Sequence, residues 1–277
     1  YKYGRSYACV HIVVPRKGPG FEVSVRVFWN EKDRMLKLRL STPFKTGTCR
    51  GQVAFGVEGS DRFGEELVAQ KWVAAVSEDG QSALTVVNDR THGFDFQDGE
   101  LRFSLLRSAA YAAHPVAEHI PIIPDDRFIP RIDQGERCFR FWIGGGKTEE
   151  CLLRIDREAL IKNEPPIALC CYPGGEGKRP EPAVLIDGEA VQLVALKRSE
   201  DGKRLVMRLF EPTGGGRTAR VRVPSLGTCM DLVFGPFEIK TLAIDFKTGK
   251  AVETDLLERA ARGTAGSSLP GSGDTPW

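Results

Sequence analysis

From Phe21 to Leu40 the chain reads FEVSVRVFWNEKDRMLKLRL, with apolar and polar residues alternating on both sides of Asn30-Glu31-Lys32-Asp33. Successive side chains of a strand point to opposite faces, so this pattern predicts a half-buried antiparallel hairpin that turns at Asn30–Asp33. Similar short strands are expected at Gly51–Val57, Ala69–Val76, Ala83–Asn88, Glu100–Leu105 and Arg137–Ile143. Five more follow at Ala190–Lys197, Arg204–Glu211, Ala219–Val223, Thr228–Val233 and Phe237–Asp245. Turn signals separate them, among them Glu78-Asp79-Gly80, Gln97-Asp98-Gly99, Asp187-Gly188, Asp201-Gly202 and Gly214-Gly215-Gly216.

Many short strands with little helical periodicity between them predict an all-β chain built from sandwiches rather than βαβ units. The one convincing helical segment is Glu150–Lys162. Pro165-Pro166 follows it, and YPGGEGKRPEP, from Tyr172 to Pro182, has no periodicity, so a boundary is expected there. The reading is a large β region over 1–165, a smaller sandwich over 166–246 and a tail over 247–277. From Arg262 onward the tail is small, polar and rich in Pro and Gly, so it is expected to be disordered in part or peripheral.

Charge changes this picture little. The chain has 39 Lys and Arg against 37 Asp and Glu, scattered along its length, which gives no electrostatic reason to expect nucleic acid or an anionic membrane surface as partner. Seven cysteines, an odd number at irregular spacings, read as mostly free thiols and lean toward a reducing, cytoplasmic compartment. No apolar run approaches the roughly 18–20 residues of a membrane span, so a soluble chain is expected. It opens at Tyr1 with residues that already read as the middle of a sheet protein, so a piece of a longer polypeptide is expected.

Motifs for autonomous chemistry are weak. Gly144-Gly145-Gly146-Lys147-Thr148 lacks the leading glycine of a phosphate-binding loop, since Phe141 stands in its place, and it reads as a glycine turn after a strand. His11, His92, His114 and His119 have no Cys-x-x-Cys pair beside them. Cys170-Cys171 would point to opposite faces of a strand, so no metal site is expected. Asp89, Asp95, Asp98, Asp133 and Glu136 sit in or beside expected turns, where a carboxylate serves nearby backbone amides. Trp72 reads as a core anchor, and Asn88-Asp89 before Gly93 as a turn. Arg107 ends the apolar run Leu101–Leu106, at a sheet edge from which a guanidinium can reach a carboxylate or a sugar hydroxyl.

Several segments exceed generic β sequence. Glu65-Glu66 leads through Ala69-Gln70 to Trp72, Asn88-Asp89 leads through Gly93 to Asp95, and then come Leu105-Leu106-Arg107-Ser108 and Asp133-Gln134-Gly135-Glu136. In that order they resemble the family 38 glycoside hydrolases, the α-mannosidases. Val191–Arg198, Arg208–Pro212 with the triple glycine, and Gly235–Leu242 resemble the last β domain of the same family. The segment with Trp29 and Leu36–Leu38 is similar to strands that open its large sandwich, and the resemblance spans about residues 21–246.

The resemblance implies a galactose-mutarotase-like supersandwich followed by a smaller β-sandwich, with few short helices. It implies that the reaction, a retaining α-mannoside hydrolysis, belongs to an N-terminal domain of the same polypeptide that holds zinc and the nucleophile. No catalytic or zinc residue is therefore carried over to this chain, which is expected to be inactive alone and to hold no cofactor. The large sandwich of the family lends an arginine to the substrate pocket. Arg107 matches it, with Asn88 and Asp89 as further pocket or interface candidates. The partners implied are that catalytic domain, a mannose-containing glycan held through it, and further copies of the chain. Departures from the family pattern are Glu58-Gly59-Ser60 after Phe55-Gly56-Val57, and the inserted Tyr111–Ile132. Two other classes stay open: a carbohydrate-binding sandwich with Trp29, Trp142 or Tyr172 as sugar platform, and an assembly module with an exposed apolar face.

Overall fold

The computed structural model describes residues 1–60, 64–110, 130–170, 181–188 and 190–259. It divides into two compact units, Tyr1–Ala54 with Glu58–Glu164, and Phe55–Val57 with Pro165–Trp277. Among the described residues the fold is all-β apart from one α-helix and a short 3-10 turn.

The first strands are β1 (Lys2–Tyr3), β2 (Ser6–Val13), β3 (Phe21–Trp29), β4 (Met35–Ser41), β5 (Thr48–Val53) and β6 (Gly56–Ser60), all in the first unit except the first two residues of β6. They continue with β7 (Leu67–Val68), β8 (Trp72–Val76), β9 (Ser82–Asn88), β10 (Gly93–Gln97), β11 (Glu100–Arg107) and β12 (Gly135–Lys147), and helix α1 (Thr148–Asn163) closes the unit. Eight strands form one sheet in the order β1-β2-β3-β12-β9-β8-β5-β6, and four form a second in the order β4-β11-β10-β7.

The core follows from strand alternation. Val23, Val25, Val27 and Trp29 of β3, Phe139, Phe141 and Ile143 of β12, and Val86 of β9 face Phe94, Phe96, Leu101 and Phe103 of the smaller sheet. Phe103 and Phe141 meet between the sheets with ring centroids 5.2 Å apart. Strand β8 is buried at all five residues. Val73 and Ala75 join the inter-sheet core, while the alternate positions lie toward α1, which buries Cys151, Ile155, Asp156 and Ala159. A strand covered on both faces reads as an unbroken apolar run.

The second unit holds β13 (Leu185–Asp187), β14 (Gln192–Arg198), β15 (Arg204–Phe210), β16 (Arg217–Val223), β17 (Thr228–Phe234), β18 (Ile239–Asp245) and β19 (Ala251–Thr254). They form a three-stranded sheet, β13-β16-β17, and a four-stranded sheet, β14-β15-β18-β19. Met207, Leu209, Val221, Leu232, Phe234, Leu242 and Ile244 form their shared core. Strand β19 lies inside the stretch 247–277 and pairs with β18 from Thr241↔Thr254 to Ile244↔Ala251. Residues 260–277, which hold most of the expected tail, lie outside the described residues.

Several expectations are corrected. Phe21–Leu40 is no hairpin: β3 pairs with β2 and β12, whereas β4 pairs with β11 in the other sheet. The link Asn30–Arg34 therefore crosses the sandwich, and period-2 alternation is the same for either arrangement because each strand has one face in the core. Gly144–Lys147 is no turn but the continuation of β12, paired with Thr85–Ser82. A Cβ on Gly145 would come 3.1 Å from the Ala83 carbonyl oxygen, so the missing side chains let the strands run close. Asp95 lies in the middle of β10 and is paired with Arg102, not in a turn. Trp29 is buried at 5% exposure, its indole N–H donating to Ser108 Oγ at 3.0 Å, so it forms no sugar platform. Tyr172 lies outside the described residues.

Candidate functional site

Arg107 is the last residue of β11 and is exposed there, paired across the ladder with Met35. Its backbone N–H donates to the Asp133 carboxylate at 3.2 Å, which fastens the strand end to the turn before β12. Asn88 ends β9 and is buried at 2% exposure. Its amide nitrogen donates to the Gln70 carbonyl at 2.9 Å and to the Thr91 carbonyl. Its side-chain oxygen has no hydrogen-bond partner among the described residues. Asp89 receives Arg90 at 3.2 Å and Arg140 at 3.7 Å. Asn88 thus braces the exit from β9, Asp89 anchors an arginine cluster, and Arg107 projects from the other sheet.

Three further motif residues, Glu66, Gly93 and Asp95, converge on the outer face of the smaller sheet. Lys37 of β4 donates to Asp95 at 2.5 Å and to Glu66, Arg102 donates to Asp95, and Ser104 donates to Glu66. The Asp95 side chain is only 3% exposed, so its two cations offset the desolvation of a buried carboxylate. Burial opposes the charge on Lys37, but its bonds to Asp95 and Glu66 outweigh that and hold its pKa above the ordinary value. A Cβ at Gly93 would stand 2.6 Å from a Glu66 carboxylate oxygen and 3.1 Å from the Ser104 Cβ, so the glycine two residues before Asp95 leaves room for Glu66 in this position.

A groove of about 500 Å³ lies on the opposite side of the unit, between α1, β12 and the segment entering β3. Strand alternation turns Phe141 into the core and Trp142 out to the groove floor. The Trp142 indole N–H donates to Glu22 of β3 at 2.9 Å. Lys162 Nζ and the Arg140 guanidinium stand 5.2 and 5.7 Å from its ring centroid, close enough for cation–π attraction. Arg154, Glu158 and Lys162, four residues apart on α1, line one wall. Val13, Pro15 and Phe21 line the other. Cys151 lies at the base, where burial pushes its thiol above the usual cysteine range despite nearby Arg154.

Of these groove residues, sequence reading singled out only Trp142. The others are brought together by pairings such as Trp142↔Glu22 that have no local signature.

Among the described residues no group of three His, Cys, Asp or Glu side chains could hold a metal ion. His11 and His92 are exposed, and His114 and His119 lie outside the described residues. No helix among the described residues is long and apolar enough to cross a membrane.

Comparison with known proteins gives a consistent answer. Residues 1–127 match the glycosyl hydrolases family 38 C-terminal domain, and residues 190–270 match the glycosyl hydrolases family 38 C-terminal beta sandwich domain. The chain is 24% identical over 221 residues to alpha-mannosidase G of Dictyostelium discoideum, a match covering 75% of this chain and 18% of that protein. An alpha-mannosidase of Enterococcus faecalis V583 superposes with a TM-score of 0.66 at 17% identity, over 84% of this chain and 28% of its own. A glycosyl hydrolase family 38 protein from Enterococcus faecalis gives the same TM-score and identity over 81% of this chain and 28% of its own. The chain therefore spans less than a third of the length of each of these relatives.

Proposed function

Because the chain belongs to the C-terminal region of the family 38 glycosyl hydrolases, we propose that it is the accessory, non-catalytic β region of a retaining α-mannosidase. In this reading it supports a zinc-dependent catalytic domain supplied by the same polypeptide, and Arg107 reaches toward that domain's substrate pocket. The described residues offer no donor set for the metal, so no step of the reaction is assigned to them.

The observation that carries the reading is the mismatch between the two sheets of the first unit. Eight strands face four, and β2 lies beyond the cover. Val10 and Ile12 pair opposite Val25 and Val23, so they lie on the core face of the sheet, yet they are 37% and 62% exposed. A core face that runs past its cover is an apolar surface suited to further chain. Arg107 stands at the exposed end of β11, and a guanidinium suits the bidentate geometry of a carboxylate or a diol.

The test is reconstitution. Joined to a family 38 catalytic domain, the chain should support hydrolysis of an aryl α-mannoside, and alone it should not. Arg107→Ala should lower kcat by about tenfold or more while leaving the urea midpoint unchanged. Hydrolysis by the isolated chain would overturn the accessory role, and unchanged turnover in the variant would remove Arg107 from the pocket.

A further inference from the structure

We infer that the open edge of β2 is completed by the stretch of polypeptide that runs into Tyr1, which continues β1 as a full antiparallel strand along β2. The strand presupposes the reading above, in which the chain is one region of a longer polypeptide. It adds where that polypeptide enters the sandwich, and in what register.

The ladder itself points there. Lys2 pairs with Tyr7 and Tyr3 with Ser6, and Tyr1 carries the pairing a step further. Its amino group donates to the Ala8 carbonyl at 2.9 Å, and the Ala8 N–H donates to the Tyr1 carbonyl at 2.9 Å. Counted on in the same register, the first residue ahead of Tyr1 stands opposite Cys9, the second opposite Val10, the third opposite His11 and the fourth opposite Ile12. Among the described residues nothing pairs with Cys9–Val13 on that side.

The backbone fixes which groups that strand would meet. Both polar backbone groups of Ala8 point toward β1. In an antiparallel ladder these groups change sides at each residue, so those of Val10 and Ile12 point the same way, while those of Cys9 and His11 point to β3. The incoming strand therefore exchanges hydrogen bonds at Val10 and Ile12, and its second and fourth residues ahead of Tyr1 are not proline. Partners across an antiparallel pair share a face, so these two residues join Val10 and Ile12 on the core face and are apolar. Strand β1 already keeps the pattern: Tyr3 stacks on Trp29 of the core, with ring centroids 6.5 Å apart, and Lys2 takes the alternate face. Nothing on β2 guards the edge, because Ser6–Val13 holds no lysine, proline or acidic residue, the devices that keep an edge strand from taking a partner.

The experiment extends the chain upstream by about ten residues of its own coding sequence, the length of one strand. In a Cys9→Ser background, His11→Cys is combined with cysteine at the third residue ahead of Tyr1, a pair without mutual hydrogen bonds. The Cα atoms of such a pair stand about 4.5 Å apart, within the span of a disulfide, so mild oxidation should join them within one copy, read by mass spectrometry. Cysteine at the second residue, which lies on the other face, should not be joined to His11→Cys. The extension should also raise the urea midpoint, and Ile12→Pro, which removes an edge donor and leaves the β3 ladder intact, should cancel that gain while changing the unextended chain little. Cross-linking that ignores position, a bridge between copies in place of one within a copy, or a midpoint that the extension does not raise would overturn the inference. Neither readout needs the catalytic domain. A missing strand therefore leaves the accessory role to be judged by reconstitution, and a failed reconstitution leaves the cross-link standing.

Discussion

Asp156 on α1 accepts the indole N–H of Trp72 on β8 at 2.9 Å, with Asp156 4% and Trp72 1% exposed. The same carboxylate oxygen accepts the Gln52 side-chain amide at 2.8 Å, so one helical residue ties down two strands of the large sheet. Replacing it with alanine leaves two donors without that acceptor, the Trp72 indole in a place water does not reach and the Gln52 amide partly buried beside it. Asp156→Ala should lower stability by about 2–4 kcal/mol, read as a lower urea midpoint. Trp72→Phe, which removes the donor and keeps much of the ring, should cost less.

Glu211 offers a second such centre, in the second unit. Its side chain is 0% exposed, and it accepts the backbone N–H groups of Thr213 at 2.9 Å, Gly214 at 2.8 Å and Phe237 at 3.2 Å, with Arg217 3.4 Å away. It shapes the glycine loop from within. Glu211→Ala should destabilise by about 3–5 kcal/mol, whereas Arg217→Ala, at a partly exposed partner, should cost less in the same denaturation assay.

Stability should fall on the acid side below the ordinary glutamate pKa of 4.5. Burial raises the Glu238 pKa, but the bonds from Lys240 and the Gly235 N–H outweigh it and hold the group below its ordinary value. A depressed carboxylate contributes stability above its unfolded pKa and loses it as pH falls through the folded one. Lys37 and Lys240, both held above their ordinary value of 10.5, act on the other side: their contribution is fully present below that value and is lost as pH rises through the folded pKa. Urea midpoints measured against pH should show a plateau between these limits, and Lys240→Met should shallow the acid limb.

Gly20→Ala should be costly for its backbone alone. At φ +97 an L side chain is strained, and the added carbon would overlap a carbonyl oxygen rather than a side chain that can swing away. A loss of about 2 kcal/mol or more is expected, with the Trp142 indole resonance displaced as the groove wall shifts. Gly18→Ala, where nothing lies within 4 Å, is the control for conformation without overlap.

Much of the fold was legible because its strands obey one rule. The alternation of β3 marked one face of that strand for the core, where Val23, Val25 and Val27 lie, and Trp72 read as a core anchor, which its burial bears out. What alternation lacks is the identity of the partner. For that reason β3 and β4 read as a hairpin although they lie in different sheets, and Trp29 read as exposed although Ser108 receives it from β11's end. The motif residues were visible as a pattern, but their joint purpose needed the sheet: Glu66, Gly93 and Asp95 meet only when β10 pairs with β7 and β11. The groove was least legible, since Glu22 and Lys162 come from opposite ends of the unit.

The double cover on β8 also sets a clock. Amide exchange requires a strand to open, and Trp72–Val76 cannot open without first lifting α1 on one side or parting the two sheets on the other. Its protons should be the last of the first unit to be replaced by deuterium, long after those of β1 and β2 at the uncovered edge.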